Sequence, residues 1–262
     1  MTEKLSVTIQ KRTNEQYTPP TQSANTLFRF FKKPDYLFDS IKKKALTPRY
    51  YGENVDYLDI GHHQVAYPMI CFCDITIHRL AEHMHTYGEY GIAFSKEWGI
   101  SRGIQPLQYI NHHSILKEDF SRAFALAMKT ESDSPIADFL LTKMYYMKPI
   151  EGTMPRDGVD VKKNFTDECE WRYIPDVAAI DLPQAVIEDD AASIEKLNAT
   201  IADNETCWLK FDFSDIKHII IPTEDDFEAL CSIINNVDGQ DERIKNKLIS
   251  KIILWSDAKE DF

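Results

Sequence analysis

The chain reads as an α+β protein, and three observations lead there. Apolar strand-like runs and amphipathic helix-like stretches mix along it without the regular βαβα alternation of a doubly wound sheet. No GxGxxG or P-loop pattern occurs, so the usual phosphate-cradling α/β folds are not indicated. Its 262 residues, 43% hydrophobic and 27% charged, are of ordinary globular composition and suffice for one large domain with a substantial core.

The elements follow in order. Residues 1–25 are polar, carry the Pro19–Pro20 pair, and read as a flexible arm with at most a short strand near Val7–Ile9. A single α+β domain then spans 26–262, with 206–262 packing on its core. It opens with "TLFRFF", 26–31, a short apolar strand. Pro34 starts a helix with Leu37, Phe38 and Ile41 at helical spacing. "PRYYGE", 48–53, reads as an irregular loop. "YPMICFCDI", 67–75, is a near-continuous apolar run and a buried strand. Thr76 stands at the cap of a helix reaching Tyr87 and closed by Gly88. "YGIAFS", 90–95, and "PLQYI", 106–110, are further strands. Helices are expected at 114–128 and 135–147, the second with Ser134 at its cap and Pro135 at its first position. The stretch 148–164 holds two prolines and two glycines and reads as a surface loop. "DECEWRY", 167–173, is a strand. Residues 176–206 are acidic and loop-like around a helix near 192–202. "CWLKFDF" and "KHIIIP" are strands around a turn at Asp215. Thr223 with Asp226 resembles a capping arrangement for a helix to about Asn235, and a helix–strand pair over 241–255 follows.

Charge and cysteine content bound the function. A net charge of −12 excludes nucleic-acid binding by bulk electrostatics and leaves only a local basic segment, Arg29 to Lys44. No apolar run reaches the ~18 residues of a membrane span, and no signal peptide opens the chain. Five cysteines form no paired pattern, so free thiols in the cytoplasm are expected.

Three groups could carry chemistry. In "DECEWRY", strand alternation puts Glu168, Glu170 and Arg172 on one face, with Cys169, Trp171 and Tyr173 on the other. Carboxylates two apart on a strand lie within about 7 Å, and each raises the cost of ionising the other unless a cation such as Arg172 intervenes. Such a pair suits an oxocarbenium-like transition state; it equally suits a solvent-facing ladder of charges. Cys71, Cys73, His78, His83 and His85 lack CxxC or HxxxH spacing, and no metal is expected. In "TPRYYGE", 47–53, Arg49 beside two tyrosines can clamp a phosphate and stack on a ring; the alternative is a surface loop with an Arg49–Glu53 pair. No GxSxG elbow occurs.

The succession "TLFRFF…YLFDSIKKKALTPRYYGE", "YPMICFCDI", "HMHTYGEYGIAFSKEWGISRGIQPLQYI" and "DECEWRYIP", from about residue 26 to 221, resembles the AbiGi family of bacterial abortive-infection proteins, often described as an antitoxin paired with AbiGii. More distantly, the order of elements resembles ADP-ribosyltransferase-like domains such as the DarT toxins. That second resemblance implies a split β core of two packed sheets with surrounding helices, and NAD as a substrate. It implies Arg29 on the first strand, Arg49 and Tyr50 in a loop over the NAD, His83 and Tyr87 near a central motif, and Glu170 as catalytic glutamate with Glu168 as its partner. Two functions stand open. One is an anti-phage ADP-ribosyltransferase acting on RNA, DNA or protein. The other is a non-catalytic antitoxin or sensor whose acidic surface, especially 184–206, binds a partner toxin.

Overall fold

In the computed structural model, residues 17–129, 134–156, 159–187 and 191–259 are described. They are α+β, and their architecture turns on one strand. The first strand, β1 (Thr26–Phe31), leads into α1 (Pro34–Lys43), a short β2 (Ala45–Leu46) and β3 (Arg49–Asn54). The central β4 (Gln64–Cys73) is buried along nearly its whole length, which is why its sequence is a continuous apolar run rather than an alternating one. Next come α2 (Leu80–Tyr87), β5 (Tyr90–Ser95), α3 (Lys96–Ser101), β6 (Gln105–Pro106) and β7 (Gln108–Ile110). A helical pair, α4 (Ile115–Ala127) and α5 (Pro135–Tyr145), precedes β8 (Met147–Pro149) and the hairpin of β9 (Glu151–Arg156) and β10 (Val159–Asn164). Then follow β11 (Glu170–Tyr173), β12 (Val186–Ile187), α6 (Ala191–Ala202), β13 (Leu209–Lys210) and β14 (Ile216–Ile221). Helices α7 (Glu224–Asn236) and α8 (Glu242–Ile249), strand β15 (Ile252–Leu254) and α9 (Trp255–Ala258) complete the order.

Nine strands form one sheet in the order β15-β14-β5-β1-β4-β11-β6, with β3 and β12 also pairing to β4. The other strands form three two-stranded sheets, β9–β10, β2–β13 and β7–β8. The strands thus divide into one large and three small sheets, where the distant resemblance implied two packed ones. Pairing with β4 changes along its length. Ile70–Cys73 pair with β11, Cys73 also with β1, Gln64–Met69 with β3, and Val65–Ala66 with β12. Pro68 sits where β3 is its single partner, Tyr50. A proline has no N–H to give a second ladder, so the partner change falls at the residue that tolerates it.

The main core lies on one face of the sheet, where Leu27, Ile70, Phe72, Phe94 and Ile219 meet α1 and α7. On another, α4 and α5 pack Phe120, Phe124, Leu140 and Met144 against Tyr67 and Met69.

Two expectations are corrected. "PRYYGE" is not an irregular loop but most of β3, paired residue for residue with β4 from Arg49↔Met69 to Asn54↔Gln64. The stretch 148–164 is not a plain surface loop: Pro149 belongs to β8, and Gly152 and Pro155 to β9, which pairs with β10, while Gly158 lies outside the described residues. Several other boundaries differ slightly. The expected 106–110 strand is split between β6 and β7. A 3₁₀ turn over Ile77–Arg79 precedes α2, and neither Thr76 nor Ser134 makes a capping side-chain bond. Thr223 does cap α7, accepting from the Asp226 backbone N–H. Of the arm, residues 17–25 form no helix or strand, and Ser23 and Asn25 bond to Lys96. Residues 1–16, including the strand considered at Val7–Ile9, lie outside the described residues.

Candidate functional site

The opening of "DECEWRY" is not extended. Phe165–Glu168 make a 3₁₀ turn, and Cys169 takes a left-handed conformation, φ 43°, before β11 begins. Glu168 and Glu170 therefore do not alternate along one strand, as expected, yet both are buried and both turn to the same cation. Lys148 Nζ, on β8, donates to Glu168 Oε2 and Glu170 Oε2, each at 2.8 Å. From β11 onward the alternation holds: Glu170 and Arg172 share a face, and Trp171 and Tyr173 pack on the main core.

Arg172 is the centre of this network. It is 0% exposed. Its Nε donates to Glu170 Oε1 at 2.6 Å, Nη2 to Glu53 Oε2 at 2.9 Å, and Nη1 to the Tyr145 carbonyl at 2.9 Å and the Tyr67 hydroxyl. Lys163, from β10, reaches Glu168 Oε1 at 2.7 Å. Tyr87, at the end of α2, donates its hydroxyl to the same oxygen and accepts from Lys163 Nζ at 3.0 Å. Three carboxylates, Glu53, Glu168 and Glu170, thus face three cations, Arg172, Lys148 and Lys163. The "DECEWRY" charges are neither a solvent ladder nor an uncompensated pair.

The electrostatics follow from this pairing. Burial raises the Glu170 carboxyl pKa, but Arg172 and Lys148 outweigh it and hold the group below the usual carboxylate range. Glu168 is held down in the same way, chiefly by Lys148 against burial and the like charge of Glu170. Lys148 is pushed up, its desolvation overcome by Glu170, Glu53 and Glu168. Burial shifts His83 the other way, down to about 4, despite the attraction of Glu168. Its ring lies 4.5 Å from that of Tyr87 and 5.6 Å from that of Phe30.

Above the network opens a cavity of about 950 Å³. Its lining includes Glu168, Glu170, Arg29, Arg49, His83 and Tyr87, so six of the seven residues singled out from sequence converge on one space. Tyr50 does not. Because 49–54 is a strand, alternate side chains take opposite faces. Arg49, Tyr51 and Glu53 line the cavity, while Tyr50 is buried behind it with Val177, Ile201 and Cys207, its hydroxyl donating to the Pro183 carbonyl. The tyrosine on the cavity is Tyr51. Reading "RYYGE" as a strand would have found it. Lys148 and Lys163 carried no sequence signal; they come from segments read as loop and meet Glu168 only in the fold.

Among the described residues no group of three or more His, Cys, Asp or Glu side chains could hold a metal ion. No described helix is long and apolar enough to cross a membrane.

Fold and site together define an α+β protein with a large cavity floored by a buried, charge-balanced ion network. Residues 43–222 match the family described as "Putative abortive phage resistance protein AbiGi, antitoxin". An "Abortive phage resistance protein AbiGi" from Lactococcus lactis subsp. cremoris is 34% identical, over 83% of this chain and 100% of its own length. The chain belongs to the AbiGi family. Arg29 lies before the matched segment; the other singled-out residues lie within it. No solved structure matches the chain.

Proposed function

We propose that this chain is the antitoxin of an abortive-infection pair and works by binding a partner toxin, not by transferring ADP-ribose. The observation that carries the reading is the state of Glu170. Both its oxygens are held, one by Arg172 Nε at 2.6 Å and one by Lys148 Nζ at 2.8 Å. A glutamate that stabilises an oxocarbenium must present uncompensated negative charge to the reacting carbon, and a general base works best with a pKa near the working pH. Glu170 offers neither. The family description, which names an antitoxin, and the chain's net charge of −12 agree with a protein that covers a basic partner.

A second reading keeps the NAD-dependent ADP-ribosyltransferase, with Glu170 catalytic and RNA, DNA or protein as acceptor. Its support is the convergence of Glu168, Glu170, Arg29, Arg49, His83 and Tyr87 on one cavity large enough for a dinucleotide. Expression separates the two. On the antitoxin reading the chain alone leaves growth unchanged and rescues cells making the partner toxin, and labelled NAD incubated with it stays intact. Slowed growth from the chain alone, relieved by Glu170→Gln at equal protein level, would overturn that reading in favour of the transferase.

A further inference from the structure

We propose that the outer face of α4 is where two copies of this chain pair, the two helices running antiparallel across a two-fold axis. This goes beyond the partner-binding reading and does not depend on it.

Helix α4 carries large apolar residues on two sides. The inner side packs Phe120, Phe124 and Ala127 into the α4–α5 core. The outer side carries a stripe at i, i+4, i+7 and i+11: Ile115, Asp119, Arg122 and Leu126. Ile115 and Leu126 are 75% and 68% exposed. Helical spacing puts Leu116 and Ala123 on one flank of the stripe, Glu118 and Ala125 on the other. Met128, just after the helix, and Ile136 and Phe139 of α5 are exposed as well. A helix with apolar residues on both sides needs cover on both, and large apolar side chains gathered in the open mark an interaction surface.

The order of residues in the stripe points to a second copy as the occupant. Spacings of 4, 3 and 4 are those of a seam between two packed helices. With the axis passing between Asp119 and Arg122, an antiparallel second copy lays its Leu126 against Ile115 and its Arg122 against Asp119. The same contacts recur in reverse, as an isologous interface requires. Run parallel in register, the seam would set Asp119 on Asp119 and Arg122 on Arg122, so the charges select one direction. Within one chain Asp119 and Arg122 pair along the helix, an exposed contact worth little, so exchanging it for pairs across the axis costs little. Glu118 falls beside the second copy's Arg122 and adds to the match. The charges of this surface balance. Lys117 is taken up by Asp59, Glu118 and Asp119 stand with Arg122 and Lys129, and α5 carries one acid, Asp138, and one base, Lys143. In a chain of net charge −12, such a face lets two copies approach with little local repulsion. It is also not the acidic surface that would cover a basic toxin. A stable pair takes about 800 Å² from each partner, more than four side chains supply, so Leu116, Met128, Ile136 and Phe139 belong in the contact.

Sedimentation velocity of the purified full chain over a range of concentrations tests this. A dimer that dissociates on dilution is expected. Asp119→Arg alone sets like charges across the axis and should weaken the dimer roughly tenfold or more, as should Arg122→Asp alone. Mixed together, those two variant chains should pair with each other, since each charge across the seam then faces its opposite. Leu126→Glu should weaken the wild-type dimer roughly tenfold or more, because pairing would bury an unmatched carboxylate. Circular dichroism should be unchanged in all three variants, whose side chains are exposed. The proposal fails if the wild type is monomeric at every concentration, if its dimer ignores all three substitutions, or if mixing the two charge variants restores no pairing. A monomeric wild type that loses toxin neutralisation with Leu126→Glu would overturn it in favour of a toxin docking on this face. Neutralisation that persists in a variant made monomeric supports the proposal, since pairing and toxin binding then use separate surfaces. A dimer that behaves as expected in a chain neutralising no toxin also supports it, and defeats the partner-binding reading alone.

Discussion

Arg172 shows how much one residue's surroundings decide. It is fully buried, and Glu170 and Glu53 both depend on it for counter-charge. Removing one partner of a buried pair strands the other, so Arg172→Met should destabilise the protein by roughly 3–5 kcal/mol, read from urea denaturation. Adding Glu170→Gln to it should recover part of that loss, because the stranded charge is then gone. His83 carries a second expectation. Its folded pKa is near 4, below the ~6.5 of an unfolded histidine. Between those values the unfolded chain binds the extra proton, so His83 stabilises the fold above pH 6.5 and that contribution is lost as pH falls toward 4. Melting temperatures taken from pH 7 to 4 should fall, and His83→Gln should flatten the slope in that window. The carboxylates act lower. Glu168 and Glu170 are held below their unfolded values, so their contribution is present above ~4.3 and is lost only in more acid solution. At this scale the sequence named Glu168, Glu170 and Arg172 as one group, and they are one. It could not name Lys148 or Lys163, which lie 20 and 5 positions before Glu168 in chain order and carry no motif.

Among elements, β3 and α2 set the site. The choice between Tyr50 and Tyr51 follows entirely from β3 being a strand, and a stretch holding Pro48 and Gly52 gives a mixed local signal. Pairing with β4 along six positions overrides it. Helix α2 carries His83 and Tyr87 to the network, and Gly88 fixes where it stops. That residue has φ 119°, its N–H bonds the Met84 carbonyl at 2.8 Å, and a Cβ there would stand 2.0 Å from the Phe31 carbonyl oxygen. Gly88→Ala should therefore cost about 2 kcal/mol or more, from backbone strain and the displaced β1 end together. Thermal denaturation measures this, and a variant as stable as the wild type would show that α2 does not rest on β1 as described. The sequence did mark Gly88 as the end of a helix. The close approach to β1 was not legible, because no local pattern encodes which strand a turn will touch.

For the whole molecule, β4 links both regions of packing. It pairs with β1, β3, β11 and β12, and its two faces serve the main core and the α4–α5 side. Unfolding should accordingly be cooperative. Circular dichroism and the fluorescence of the four tryptophans should report one coincident transition in urea, and two separated transitions would show that the α4–α5 side unfolds by itself. The sequence by itself determined the α+β class, a buried strand expected at 67–75 and found at Gln64–Cys73, the amphipathic helices and the AbiGi relationship. These are recorded in hydrophobic periodicity, capping residues and ordered segments, all of which are local or linear. Only the tertiary structure decided what "DECEWRY" is. Its glutamates are ionised and buried because Lys148, Lys163 and Arg172 surround them, and Coulomb attraction depends on distance in space, which chain order does not record.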